Sequence, residues 1–215
     1  MPRKEVCIYC GRYLGVTDDH VPPRCFFEKP CPNRTQLITV PCCESCRKED
    51  EKTDTFVRNA IASLHGTELT PYVRTHINAR VTRSVKRARW DFRRLMEIMK
   101  PKRVSFQTPI GLVEGFLPAL NLDIPEMDRF FERIARAVLY DAYHKGFFAG
   151  RVRWIPIHAI PSKLAQLCAK QQPQRTILDV FEYRVSPPFS KGTYIILATF
   201  YKAATFVIQV QAIEA

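Results

Sequence analysis

The sequence contains no apolar run long enough to cross a bilayer, which takes about 18 or more consecutive apolar residues. The nearest stretch, residues 194–210, is broken by Lys202 and Gln209 and reads as strands. The opening MPRKEVCIYCGRYLG holds no apolar h-region, so no secretory leader is expected and the setting is read as cytoplasmic, without a membrane partner. Internal repeats and low-complexity tracts are missing. Acidic residues are scarce: 21 Asp plus Glu against 33 Lys plus Arg leave a formal net charge of +12. That balance points to a polyanionic partner. Cysteine is too sparse for a disulfide-stapled secreted domain, eight in 215 residues or about 4%. What the chain does have is material for a core: 46% apolar residues, with 14 Phe, 8 Tyr and 2 Trp, which excludes a wholly disordered protein.

Composition divides the chain into three zones. Residues 1–64 hold seven of the eight cysteines and a proline-rich stretch (Pro22, Pro23, Pro30, Pro32, Pro41). Residues 65–149 read as mainly helical, and residues 150–215 as proline-punctuated segments followed by strands. A first helix is expected from Ser45 to about Leu64, with Phe56, Ala60, Ile61 and Leu64 at helical spacing. A second is expected over 78–99, where Val81, Val85, Ala88, Phe92, Leu95, Met96 and Met99 form one apolar face and Pro101 ends the pattern. A third is expected from Met127 to Tyr143. In the tail, the alternating Phe181, Tyr183 and Val185, the run Tyr194–Tyr201 and the β-branched stretch 205–210 predict a three-stranded antiparallel meander.

Two cysteine pairs carry the clearest chemistry. Cys7-Ile8-Tyr9-Cys10 and Cys43-Glu44-Ser45-Cys46 are both C-x2-C knuckles. One knuckle presents two thiolates at the corners of a tetrahedron, and two knuckles complete a closed structural zinc site. Gly11 follows the first pair, where a tight turn needs a permissive backbone. Cys42 lies beside the second pair, but Cys43 has the right spacing. Cys25, Cys31 and Cys168 stand alone and are read as small apolar residues or surface thiols.

Residues 11–42, between the knuckles, are too many for a simple zinc ribbon and must hold a folded insert. They contain Thr17-Asp18-Asp19-His20-Val21-Pro22-Pro23-Arg24 and Leu37-Ile38-Thr39-Val40-Pro41. The order is a strand with Asp-His, a loop, a strand, the second knuckle and a helix. Over residues 5–60 this resembles the HNH endonuclease family, whose module is a ββα-metal fold. The resemblance implies that His20 is the general base that activates water, and that Asp19 is a ligand of a catalytic Mg2+ or Mn2+. The chemistry is coherent: a neutral imidazole suits proton abstraction near pH 7, and a hard cation held by carboxylate suits charge on a leaving oxygen. Adjacent residues of a regular strand point to opposite faces, so Asp19 and His20 share a site only if the backbone bends there.

Two positions differ from the family pattern. Gln36 stands where the family has Asn before the second strand, and Arg47 where it has a His or Asn ligand after the second knuckle. A guanidinium cannot ligate a cation. Asp50 and Asp54 share the helical face of Arg47 and either approach the metal or form a solvated acidic face. Arg47 could alternatively contact the scissile phosphate.

Residues 72–103 carry eleven Lys or Arg against two acids, Asp91 and Glu97. On a helix, Arg80, Arg83, Arg87 and Arg94 form one stripe about 21 Å long that could neutralise several phosphates.

The expected fold class is therefore α+β: a zinc-stabilised HNH-like ββα-metal module, a helical middle and a C-terminal antiparallel sheet. The expected activity is metal-dependent hydrolysis of phosphodiester bonds in double-stranded DNA. The alternative is a catalytically inactive, zinc-stabilised nucleic-acid-binding or adaptor protein, the reading Arg47 favours. A homodimer through the edge of the tail sheet is the other partner considered.

Overall fold

A computed structural model describes residues 5–29, 37–64, 67, 69–87, 93, 97, 99–108, 111–120, 122, 124–144, 150–161, 163, 166, 172–186 and 192–212. The architecture mixes helix and sheet. Strands β1 (Thr17–Val21) and β2 (Ile38–Cys42) form an antiparallel pair in which Asp19 faces Val40 and His20 faces Thr39. Helix α1 (Glu44–Ala62) follows β2 directly, with Cys43 in extended conformation as its cap. The β1–β2–α1 order is the one the sequence pattern predicts.

Helix α2 (Asn78–Arg87) continues from a π-helical turn over Val73–Ile77. Helix α3 (Pro125–Tyr143) starts with proline in its first turn, next to Glu126 and Asp128, and ends on His144 in the left-handed region at φ 50°. Each feature suits its helix end: proline lacks an N–H that the first turn does not need, and carboxylates complement the N-terminal dipole.

The middle of the chain corrects the expectation of a mainly helical region. Strands β3 (Met99–Thr108) and β4 (Gly111–Leu120) form a long antiparallel ribbon. Pro101, which reads as a helix stop, lies inside β3 directly opposite Pro118. A two-stranded ribbon has only edge strands, where proline is tolerated. Gly111, at φ 126°, opens β4.

The tail is a five-stranded antiparallel sheet rather than a three-stranded meander. Its strands are β5 (Gly150–Pro156), β6 (Arg175–Ile177), β7 (Phe181–Val185), β8 (Thr193–Phe200) and β9 (Ala204–Ala212), in the order β5-β9-β8-β7-β6. The meander β7–β8–β9 sits where expected, and β5 and β6 add the edges.

One buried apolar cluster joins all three zones, from Ile8 through α1 and α3 to Val210. Helix α3 is its axis, touching α1, β1 and β2 on one side and β5, β7 and β9 on the other. Phe26, in the turn after β1, stacks on Phe130 of α3 at 5.5 Å and on Tyr201 at 6.0 Å. Tyr201 and Lys202 both take left-handed φ values, 53° and 58°, and the Ala203 N–H returns to the Phe200 carbonyl at 3.1 Å. This geometry normally selects Asn-Gly. Here the buried Tyr201 ring holds it, and its hydroxyl donates to the Phe26 carbonyl at 3.1 Å.

Candidate metal centre and the His20 face

The sulfurs of Cys7, Cys10, Cys43 and Cys46 all lie within 4.8 Å of one another. A zinc ion with Zn–S bonds of about 2.3 Å separates tetrahedral sulfurs by about 3.8 Å, and Cys10 Sγ lies 3.9 Å from Cys43 Sγ. The donor set and its spacing fit a structural zinc. Local sequence builds the arrangement. The Gly11 N–H closes the first knuckle onto the Cys7 carbonyl at 2.9 Å, with Gly11 at φ 64°. The Cys7 N–H reaches the Tyr13 carbonyl at 2.8 Å, and the Ile8 N–H ties this loop to the Pro41 carbonyl at 3.1 Å. Gly15 completes the join: a Cβ there would sit 2.5 Å from Cβ of Pro41. The second knuckle comes from the end of β2 and the first turn of α1.

The thiols differ in electrostatics. Burial pushes Cys10 up, but backbone N–H groups at Arg12 and Tyr13 and the neighbouring Cys7 and Cys43 outweigh it, bringing it down to about 7. Burial pushes Cys43 and Cys46 up. Cys42 stands apart: its thiol donates to the Cys43 carbonyl at 3.2 Å, and burial followed by the Asp19 charge raises it further. The half-buried Cys25 is pushed up to about 12, by burial first and by the Asp54 charge second. A recess of about 330 Å3 opens beside the cysteine cluster, bordered by Tyr9, Arg12, Tyr13, Ser45 and Arg136.

β1 is a regular strand, and its alternation separates the two residues expected to act together. Asp19 points towards α3. Its Oδ2 accepts from the Tyr9 hydroxyl at 2.6 Å and from Arg133 Nη2 at 2.8 Å. Arg133 also donates through Nη1 to Asp54 Oδ1 at 2.6 Å, and its guanidinium lies 5.4 Å from the centre of the Tyr9 ring. Burial, then the Asp19 charge, push the Tyr9 phenol well above its ordinary range, so Tyr9 remains a donor. Asp54 is thus neither a ligand in an open site nor part of a solvated acidic face: it is 8% exposed and ion-paired.

His20 faces the other way, on the side of Asp18 and Thr39, and is 7% exposed. Its Nε2 lies 2.6 Å from Arg24 Nη2 and its Nδ1 3.4 Å from Thr39 Oγ1. A guanidinium can only donate. Nε2 is therefore the acceptor of a neutral imidazole, and the ring proton sits on Nδ1, facing Thr39.

The other sequence candidates fall as follows. Arg47 is exposed on α1, and Arg24 is the arginine against His20. Arg80 donates to the Phe27 carbonyl and is drawn towards the core. Arg83 is exposed and turns back to the Ala79 carbonyl at 3.2 Å, and Arg87 is exposed. Gln36, Arg94 and the side chain of Asp50 lie outside the described residues, as does most of the expected helix beyond Arg87.

Among the described residues, the four cysteines are the one group of three or more metal-ligating side chains. A catalytic divalent cation finds no comparable set: the Asp19 carboxylate is engaged by two donors on the face away from His20. Sequence reasoning did not single out Arg24 and Arg133. Arg24 stands four residues after His20 and was open to inspection. Arg133, 114 residues from Asp19, carried no local signal.

No family model matches the chain, no curated protein matches it and no solved structure matches it. Among the described residues, no helix is long and apolar enough to cross a membrane.

Proposed function

We propose that this chain is a zinc-stapled, HNH-type endonuclease that hydrolyses phosphodiester bonds in DNA, with His20 as its general base. The observation that carries the reading is the His20–Arg24 pair: a neutral imidazole whose Nε2 lone pair meets an exposed guanidinium at 2.6 Å. Phosphodiester hydrolysis needs both groups. The imidazole takes a proton from water as the water oxygen bonds to phosphorus. The bond to the leaving oxygen breaks, that oxygen takes a proton from solvent, and the guanidinium offsets charge on the phosphoryl oxygens. Thr39 holds the ring through Nδ1, and the four-cysteine cluster fixes the end of the hairpin. The net charge of +12 favours a polyanionic substrate.

The family resemblance implies a divalent cation that would stabilise the leaving oxygen. The described donors do not fit one, since the Asp19 carboxylate is held by Arg133 and Tyr9. The second reading, a zinc-stabilised nucleic-acid-binding protein without catalysis, is favoured by the engagement of Asp19 with Arg133 and Tyr9. A plasmid-nicking assay with added Mg2+ or Mn2+ separates the two. The nuclease reading expects His20→Ala to slow nicking by about 10²–10⁴-fold with DNA binding intact. Binding without nicking by the unmodified protein, under any divalent ion, would leave only the second reading.

A further inference from the structure

We propose, resting on that reading, that Arg24 is the phosphate ligand of the His20 site. Its guanidinium caps Nε2 in the free protein and moves onto the non-bridging oxygens of a bound phosphodiester, uncovering the imidazole lone pair.

The backbone beneath Arg24 is fixed. Phe26 and Phe27 are fully buried. The carbonyls of Cys25, Phe26 and Phe27 accept from Arg58, Tyr201 and Arg80 respectively, and the Glu28 N–H donates to the Tyr72 hydroxyl at 3.0 Å. Only the side chain is left to move, and it is exposed.

Arg24 differs both from its neighbours Arg58 and Arg80, which are spent on backbone carbonyls, and from the ion-paired arginines elsewhere in the fold. Arg133, Arg136, Arg175 and Arg184 are each paired with a carboxylate. Among the described residues Arg24 has no acidic partner, and its guanidinium meets the His20 ring nitrogen instead. A guanidinium carries five N–H donors in a planar fork. The imidazole offers this fork one uncharged acceptor, whereas an anionic diester offers a full negative charge and two oxygens that match it in two-point geometry. A phosphodiester should therefore displace the imidazole, and the displacement delivers the base to the phosphate that caused it. Sequence comparison with the family pattern pointed to Arg47 for this charge. The geometry points to Arg24.

The test uses the full chain with zinc bound. A short synthetic DNA duplex is titrated in buffer lacking divalent ions, with binding followed by fluorescence anisotropy and His20 Nε2 by 15N NMR. Nicking is then measured at saturating plasmid for the unmodified protein, Arg24→Ala and Arg24→Lys. The expected results are a shift of the Nε2 resonance on duplex binding, an Arg24→Ala loss of about 10²-fold in nicking, typical of one lost electrostatic donor, and partial recovery in Arg24→Lys. A bound duplex that leaves the Nε2 resonance unmoved, or no duplex binding, overturns the proposal. Nicking by Arg24→Ala at the unmodified rate overturns it while leaving the nuclease reading standing. If the resonance moves but nothing is nicked, Arg24 stands as a phosphate ligand and the nuclease reading fails.

Discussion

Replacing Arg133 with methionine should be strongly destabilising. The Arg133 side chain is 11% exposed, and its fork serves Asp19 and Asp54, whose side chains are 16% and 12% exposed. Methionine fills similar space but leaves both carboxylates facing an apolar group. Breaking a buried ion pair from one side costs about 3–5 kcal/mol. An upper bound comes from proton uptake. Neutralising an ordinary aspartate at pH 7 costs about 1.4 kcal/mol for each of about three pH units, or roughly 4 kcal/mol per carboxyl, so two would cap the loss near 8 kcal/mol. The Tyr9 hydroxyl still donates to Asp19, which favours the lower figure. For a chain of this size each kcal/mol lowers the melting temperature by about 2–4 °C, so Arg133→Met should melt about 6–20 °C below the unmodified protein. Urea unfolding followed by circular dichroism, with zinc in the buffer, measures the loss directly. Arg133→Lys should recover part of it, because one ammonium supplies the charge without the two-carboxylate fork. A loss below about 1 kcal/mol at unchanged denaturant slope would refute the reasoning, since surface ion pairs cost no more than that.

Two further outcomes follow from the structure. Metal analysis should find one tightly held zinc per chain, and Cys10→Ala or Cys43→Ala should abolish it; chelation should cost several kcal/mol of stability, because binding energy at such a site is folding energy. Above about pH 10 the protein should lose stability steeply. Tyr9, Tyr183 and Tyr201 are all raised by burial, with the Asp141 hydrogen bond adding to Tyr183. Their contribution is complete below the ordinary tyrosine range and is lost as pH climbs towards the raised values, at up to about 1.4 kcal/mol per pH unit for each ring. Urea unfolding between pH 8 and 11 checks this, and Tyr183→Phe should flatten the slope by one ring's share.

Short-range chemistry was the legible part of this chain. The cysteine pairs, the β1–β2–α1 order, helix α3 and the β7–β8–β9 meander all rest on patterns a few residues long: a knuckle spacing, a helical apolar stripe, an alternation. The errors have physical causes. An apolar stripe around Met96 and Met99 suggested helix up to Pro101, but a ribbon with two edges accepts proline and β3 begins at Met99. Strand β6 is only three residues long, too short to show a period. The Arg stripe assumed one continuous exposed helix, whereas Arg80 satisfies a carbonyl of the Phe26–Phe27 turn. Asp54 shares a helical face with Asp50 in sequence, and only a guanidinium arriving from α3 makes it a buried ion-pair partner.

The alternation of β1 gives these separate observations one cause. Because Asp19 and His20 are neighbours on a regular strand, a single hairpin meets two different environments. One face carries Asp19 to Arg133 and Tyr9, and Tyr9 lies between the clustered cysteines Cys7 and Cys10. The opposite face carries His20 to Arg24, on a turn nailed to the aromatic core by Phe26. The carboxylate is therefore better placed to lock the hairpin to the four-cysteine cluster and α3 than to act beside the imidazole. Loss of the cysteine cluster or replacement of Arg133 should then disturb the His20 face only through the strand itself, by loosening β1 and with it the His20–Arg24 distance. On this argument, variants of the Asp19–Arg133 network lower stability first and activity in proportion, whereas Arg24→Ala lowers activity with stability nearly unchanged. An Asp19→Asn protein that stays folded should retain most of its nicking rate, and complete loss of nicking in that folded protein would return Asp19 to the reacting site.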